Sequence, residues 1–327
     1  MAKKRIFITG GLGLIGHNVV RRLLDLGHEI SITDTQTNYG LVPQDELDYL
    51  MVDRRNMIRE AELRCHRVDI SDREGIDWLV RIYQPDIVIH LASFPRQKVV
   101  NTNPQLGSRY MSEGLLNLLE ASVRNSVCRF LYVSSSMVYG DFTDDVMEDA
   151  VCQPQGQYGI MKLAGEWLVR DYTRQYGMAH TIIRPSAVYG PRDVEDRVVS
   201  RFMLSAMRGQ TLRVNGPNES LDFTYVDDVA DGIVAAALRS QANNKTYNIT
   251  RGLACTLLDA ANLAVRIAGR GSVEIKDRDP NFPSRGALNI TAARRDLGFD
   301  PRVDIEEGFQ RYHEWLANSV YWSKKTV

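Results

Sequence analysis

Short apolar runs alternate with longer stretches of helical period through the first 185 residues. Residues 5–9, 29–33, 65–68, 87–91, 130–133 and 181–184 read as buried strands, most of them closed by Gly, Asp, Ser or Pro. After the first of them, Leu14, Ile15, Val19, Leu23 and Leu26 recur at helical spacing and predict a helix over 14–26. Residues 73–83 are amphipathic. Asn103-Pro104 opens a helical region carrying Leu115, Leu116, Leu118 and Leu119, and a further helix runs to about Tyr176. Strands alternating with helices predict an α/β fold built on a doubly wound parallel sheet. The connection over 35–64 is longer than usual; its charged, Leu- and Met-bearing part, 44–63, predicts a helix with no assigned role.

Composition narrows the classes. The chain has 327 residues, 44% hydrophobic and 25% charged, with a net charge of −1, which is ordinary for a globular protein with a sizeable core. Lys3-Lys4, Arg21-Arg22, Arg54-Arg55 and Arg294-Arg295 are isolated basic pairs that read as solvated, so no nucleic-acid partner is expected. Four scattered cysteines without CxxC suit a reducing compartment, and six histidines show no metal-ligand spacing. The N-terminal residues run into a strand without an apolar signal region, and no run is long enough to cross a bilayer. A soluble cytoplasmic protein without a membrane partner is expected.

Chemistry concentrates where strands end. Gly10-Gly11-Leu12-Gly13-Leu14-Ile15-Gly16 joins the first strand to the first helix. In that context Gly10 permits a tight turn, Gly13 lets a pyrophosphate approach the backbone, and Gly16 lets helix and sheet pack closely. The helix N-terminus then offers free N–H groups to phosphates. The spacing is GxxGxxG rather than GxGxxG, and a turn used only for packing stays open. Asp34, closing the second strand, can bind both ribose hydroxyls and repel a 2′-phosphate, which favours NAD; a turn-forming Asp is the alternative. Small residues at Ala92-Ser93 let a cofactor lie across a strand end. Ser134-Ser135-Ser136 opens from the fifth strand into the expected crevice, although serines are also common turn residues. Tyr158 and Lys162 are four apart, hence on one helical face, where an ammonium favours a phenolate that can act as a base. Alone, that pair is more often an ordinary surface pair.

Taken together, these motifs resemble a family. Gly10/Gly13/Gly16, Asp34, Asp69-Ile70, His90-Leu91-Ala92, the serine cluster, Tyr158/Lys162, Val188-Tyr189-Gly190-Pro191 and Asp222-Phe223-Thr224-Tyr225-Val226-Asp227-Asp228 occur in one order over nearly the whole chain. The chain resembles the extended short-chain dehydrogenase/reductases that act on nucleotide sugars, most of all the UDP-glucose 4-epimerase branch. The resemblance implies a Rossmann domain over 1–185 plus about 223–249. It also implies a smaller nucleotide-sugar domain over about 186–222 plus 250–327. It implies NAD contacts at Gly10, Gly13, Leu14, Ile15, Asp34, Asp69, Ile70, Leu91, Ala92, Ser93, Tyr158, Lys162 and Pro185. Substrate contacts are implied at Ser135, Ser136, Met137, Lys98, Ala187, Arg192, Val199 and Arg278, with Phe94 and Arg96 on the same loop as Lys98. Tyr158, Lys162 and Ser135 are the implied catalytic residues. The phenol needs about 4 kcal/mol of differential stabilisation to fall from ~10 to about 7, with Lys162 and the nicotinamide ring as its expected sources.

Departures from the family pattern sharpen the reading. The 4,6-dehydratases carry Asp-Glu after the serine or threonine; here those places hold Ser136 and Met137, which disfavours dehydration and weakens decarboxylation. The arginine that usually binds the diphosphate is Leu221. Arg192, Arg201, Arg278 and Arg285 are candidate substitutes, Arg278 fitting best by position. Met111 and Ala187 stand where asparagines are usual. Phe223 and Tyr225 read as core aromatics. The expected activity is an NAD-dependent nucleotide-sugar 4-epimerase. The alternatives are a net 4-dehydrogenase or ketoreductase, and a non-catalytic dinucleotide-binding protein. A homodimer through the helices after the fourth strand and around Tyr158 is implied by the resemblance.

Overall fold

The computed structural model describes residues 2–58, 63–94, 97–280 and 282–325. Strands β1 (Arg5–Thr9), β2 (Glu29–Thr33), β3 (Arg64–His66), β4 (Ile87–His90), β5 (Arg129–Val133) and β6 (Ala179–Arg184) come first. Helices α1 (Leu14–Asp25), α2 (Gln44–Met57), α3 (Arg73–Tyr83), α4 (Gln97–Thr102), α5 (Pro104–Ser108), α6 (Gly114–Arg124) and α7 (Gly156–Tyr176) connect them. There follow β7 (Val188–Tyr189), α8 (Val198–Met207), β8 (Thr211–Asn215), β9 (Ser220–Leu221), β10 (Thr224–Tyr225), α9 (Val226–Leu238) and β11 (Lys245–Asn248). The chain closes with β12 (Cys255–Thr256), α10 (Leu257–Ala268), β13 (Ser272–Lys276), α11 (Thr291–Leu297) and α12 (Ile305–Asn318).

The central sheet has seven parallel strands in the order β11-β6-β5-β4-β1-β2-β3. This is a Rossmann-like sheet. The chain leaves β1 toward one edge and returns to β4 on the other side of β1, so a crevice opens where the order reverses. Thr9 stands opposite His90, and His90 opposite Tyr132, so the segments after β1, β4 and β5 leave the sheet at one level.

Burial explains why the pattern folds this way. Ile6, Ile8, Ile30, Ile32, Ile87 and Ile89 pack with Val19, Val20 and Leu23 of α1 on one face. Phe7, Val88 and Phe130 pack with α3 and α6 on the other. Strands buried on both faces read as continuous apolar runs, which is why they stand out in the sequence. Asp72 caps α3 by accepting from Gly75 N–H, and Gly177 in the left-handed region stops α7. A second core gathers Tyr189, Phe202, Met203, Phe223, Tyr225, Phe309 and Trp322 from the smaller lobe, so Phe223 and Tyr225 are core aromatics. Helix α9 and β11 return to the large sheet. Ile290, Ala293, Leu297 and Phe299, in and around α11, pack there too, beside Ile233 and Ile249.

The structure adjusts some boundaries. Helix α2 ends at Met57 rather than Leu63, and the part of that expectation over 59–62 lies outside the described residues. Leu115, Leu118 and Leu119 are fully buried in the core, whereas Leu116 is exposed. Among the described residues no helix is long and apolar enough to cross a membrane.

Candidate active site

A cavity of about 670 Å³ lies over the strand ends, between the sheet and the smaller lobe. The turn after β1 forms one wall. Gly10 has φ +71°, and a Cβ there would stand 2.7 Å from the Ala92 nitrogen, so only glycine lets this turn press against the end of β4. A Cβ at Gly16 would lie 2.1 Å from the Gly10 carbonyl oxygen, which fixes how closely α1 approaches the turn. Gly13 is the N-cap of α1, and no side chain caps it, so the first-turn N–H groups stay available to an anion. Asp34 accepts from Leu12 N–H at 3.0 Å and Gln36 N–H at 2.8 Å. Burial raises its pKa against the pull of those two bonds and of Arg54 and Arg55. A carboxylate has lone pairs beyond these two, so both oxygens can still accept from hydroxyl groups.

Asp69, Ile70, Leu91, Ala92, Ser93 and Pro185 line the same cavity, as do Leu14 and Ile15. Tyr39, Phe94 and Tyr110 form an aromatic group at the Asp69 end, with Tyr39 and Phe94 centroids 5.0 Å apart. Tyr39 comes from the long connection after β2 and carried no sequence signal. Met111 is buried beside Phe94 and Val100 in a π-helical turn, Arg109–Glu113, so it fills core space.

Ser135, Tyr158 and Lys162 meet on the cavity wall. The half-buried Tyr158 lines the cavity with Ser135, whose hydroxyl accepts from Met137 N–H at 3.2 Å. Burial pushes the phenol up, while the Arg197 charge and then the Ser135 hydroxyl pull it down. Lys162 Nζ donates to the Val133 carbonyl at 2.8 Å and lies 5.9 Å from the Tyr158 ring centroid. Burial brings Lys162 down to about 7, with Glu166 pulling the other way. Arg197, to which the sequence did not point, lines the same cavity, and its charge draws the phenol's pKa down.

The helix carrying this pair is anchored by a buried bidentate ion pair. Arg184 Nε and Nη2 donate to the Glu166 carboxylate at 2.9 and 2.7 Å, and Arg184 Nη1 donates to Tyr139 Oη at 2.9 Å. Removing one partner of such a pair typically costs about 3–5 kcal/mol.

The remaining expected substrate contacts divide. Ser136, Met137, Lys98, Ala187 and Val199 line the cavity; Ser136 donates to Ser186 Oγ at 3.2 Å. Arg96 lies outside the described residues. Arg192 and Arg278 are not among the lining residues. Arg192 Nε sits 3.0 Å from Asp53, and Arg278 Nε 3.0 Å from Glu219, so local carboxylates draw both away. The lining arginines are Arg54, Arg197, Arg201 and Arg285. Arg285 lies next to Leu221: its carbonyl accepts from Ser220 Oγ at 3.1 Å. Its Nε is buried with no hydrogen-bond partner among the described residues, and burial draws its pKa to about 10 despite Glu219. Arg54, expected to be solvated, is 5% exposed.

The profile of the NAD dependent epimerase/dehydratase family matches residues 6–250. The chain belongs to that family. A dTDP-glucose 4,6-dehydratase of Neisseria meningitidis is 28% identical, the match covering 98% of this chain and 95% of that protein. The UDP-glucose 4-epimerase of Thermotoga maritima, solved with UDP-glucose, has a TM-score of 0.86 and 26% identity, covering 98% of this chain and 99% of that one. The UDP-glucose 4-epimerase of Thermus thermophilus, solved with NAD, has a TM-score of 0.84 and 25% identity, covering 97% and 100%. Like other members of the NAD dependent epimerase/dehydratase family, the protein is an enzyme and its cofactor is NAD. The glycine turn and the uncapped helix end offer N–H donors, and Asp34 an acceptor, of the kinds a dinucleotide can use.

Proposed function

We propose that the protein is a nucleotide-sugar 4-epimerase working through a transient 4-keto sugar. The observation that carries this reading is the convergence of Tyr158, Ser135 and Lys162 on one wall of a cavity that the glycine turn also lines. NAD, when bound, supplies the acceptor and donor of the sugar C4 hydride. Tyr158 takes the proton of the C4 hydroxyl as the ketone forms and returns it to that same oxygen after the ketone has turned its other face to the cofactor. Ser135, a donor and an acceptor, follows the oxygen through both states. Lys162, protonated below about 7, and Arg197 favour the phenolate, offsetting the burial that opposes it. The roles of Gly10, Gly13, Asp34 and Asp69 in holding the cofactor belong to this same reading.

Met137 favours epimerisation over dehydration. It is 7% exposed and lines the cavity. Neither a thioether nor the Ser136 hydroxyl can carry the carboxyl-borne proton that loss of water from the neighbouring carbons needs. Arg285 is the group we assign to the diphosphate. A cation beside Leu221 with a buried, unbonded Nε gains most from a charge-assisted pair with phosphate oxygens. UDP-glucose in the Thermotoga relative makes a uridine nucleotide the first to test. The substrate lobe draws on 186–222 and 250–327 apart from α11, which packs on the large sheet. The assembly we propose is a homodimer through α6 and α7, which leave Leu116 and Trp167 exposed; a monomer in light scattering would refute it.

The test of the reaction is incubation with a panel of nucleotide sugars and no added NAD. Inversion at C4 supports the epimerase. Stoichiometric keto sugar with reduced nicotinamide would assign a net dehydrogenase instead. Tyr158→Phe should cut turnover by orders of magnitude and retain NAD.

A further inference from the structure

Arg54 joins two parts of the site that no other described side chain links in this way. Its Nη1 donates to the Leu12 carbonyl at 3.0 Å, inside the glycine turn. Its Nη2 donates to the Arg192 carbonyl at 2.6 Å, in the loop that follows β7. Leu12 is therefore held on both sides, its N–H by Asp34 and its carbonyl by Arg54. The other end of the link is equally constrained. Arg192 is a non-glycine residue at φ +71°, and its side chain pairs with Asp53, the neighbour of Arg54 on α2. A second tie runs from α2 to the same loop, where Glu195 N–H donates to Glu46 Oε1 at 2.8 Å.

That loop brings Asp193, Val194, Asp196 and Arg197 to the cavity. Arg197 and Tyr158 both line that cavity. A planar guanidinium presents fixed, divergent N–H groups, so one side chain can set the distance between two carbonyls. The helix carrying it belongs to the long connection for which the sequence suggested no role.

We propose that Arg54 is a positioning residue that couples occupancy of the dinucleotide site to the 190–197 loop, so that cofactor binding sets Arg197 against Tyr158. Movement of the glycine turn onto the pyrophosphate is passed through the Leu12 carbonyl and Arg54 to the Arg192 carbonyl. This rests on reading the glycine turn as the cofactor cradle, and the test separates the two ideas.

The experiment is amide hydrogen exchange on the full chain, with excess NAD and after its removal, for wild type, Arg54→Lys and Asp53→Asn. Lysine keeps the charge but offers one ammonium where two carbonyls need separate donors. Asp53→Asn weakens the hold on Arg192 and leaves the glycine turn untouched, so it serves if Arg54→Lys folds poorly. In the wild type, NAD should slow exchange both at 10–16 and at 190–197, the latter by about fivefold or more, the lower end of ordinary coupling. In Arg54→Lys, protection at 10–16 should persist while that at 190–197 disappears; in Asp53→Asn the loop effect should shrink. Protection at 190–197 that survives unchanged in both variants overturns the proposal. So does a wild type whose loop ignores NAD while 10–16 responds. No response at 10–16 in the wild type overturns the cradle reading itself.

Discussion

Gly13 and Gly16 look alike in sequence but face different neighbours, and alanine at each should fail in different ways. A methyl at Gly16 would sit 2.1 Å from the Gly10 oxygen, 2.9 Å from the Gly11 carbonyl carbon and 3.0 Å from its Cα, all backbone atoms that cannot swing aside. The turn and α1 must move apart by about 1 Å, an overpacking strain of roughly 2–3 kcal/mol. With an unfolding entropy of about 2.1 cal/mol/K per residue, that lowers Tm by roughly 3–5 °C for a chain of this length. A methyl at Gly13 meets only the Gly10 oxygen, at 3.2 Å, and the backbone there, φ −65° and ψ 171°, suits alanine. Gly13→Ala should therefore unfold within about 1 °C of wild type. It should nevertheless weaken NAD roughly 10- to 100-fold, because the methyl stands where the pyrophosphate must approach. Gly16→Ala should lose both stability and cofactor. The assay is thermal unfolding without nucleotide alongside an NAD titration of each variant. Gly13→Ala binding NAD as wild type does would refute the cradle assignment. Gly16→Ala with wild-type stability would refute the packing argument.

Arg285→Met should raise KM for the nucleotide sugar about 10- to 100-fold, the worth of a charged hydrogen bond of roughly 1.5–3 kcal/mol. It should leave kcat within about threefold and leave stability equal or higher, since a poorly paired buried cation is removed; Arg278→Met, run as the control, should change neither constant. Tyr158→Phe should lower kcat by a factor on the order of 10³ while NAD stays bound, as for loss of a general base; single-turnover kinetics on the loaded enzyme check it. Glu46 is fully buried, and its pKa is raised from 4.5 to about 7, by burial first and then by Glu195 and Asp193. Its folded-state pKa lies above the unfolded one, so its contribution is present below about 4.5 and lost as pH rises through about 7. Screening reduces the full ~3 kcal/mol to roughly 1–2. Glu46→Gln should thus stabilise the protein by that amount at pH ~8 and hardly at pH ~4.5, measured by denaturant unfolding.

The sheet and one wall of the cavity were legible because their residues obey local rules. Residues 5–9 and 29–33 are strands for the reason their apolar runs suggest, and 73–83 forms the helix its period demands. Gly10, Asp34, Ser135 and Tyr158 announce themselves by lying at strand ends or at helical spacing. The arginines were not legible, because an arginine's destination depends on which distant carboxylate claims it. Arg278 fits the family's spacing, but Glu219 takes it, and Arg285 faces the cavity instead. Arg54 read as half of a solvated pair because nothing in residues 44–57 shows that two carbonyls, at Leu12 and Arg192, lie within its reach. Arg197 was hidden for the same reason. Four residues along a helix brings Lys162 to the right face, where its ammonium donates to the Val133 carbonyl, whereas Arg197 reaches the same cavity from the loop after β7.

The central claim is that the hydride removed beside Tyr158 goes back to the carbon it left. A nucleotide sugar carrying deuterium at C4, turned over many times by the NAD-loaded enzyme in ordinary water, tests this directly. The account predicts that the inverted product keeps the deuterium at C4, with no reduced nicotinamide accumulating. Deuterium lost to solvent, or held as reduced cofactor beside a keto sugar, would contradict it.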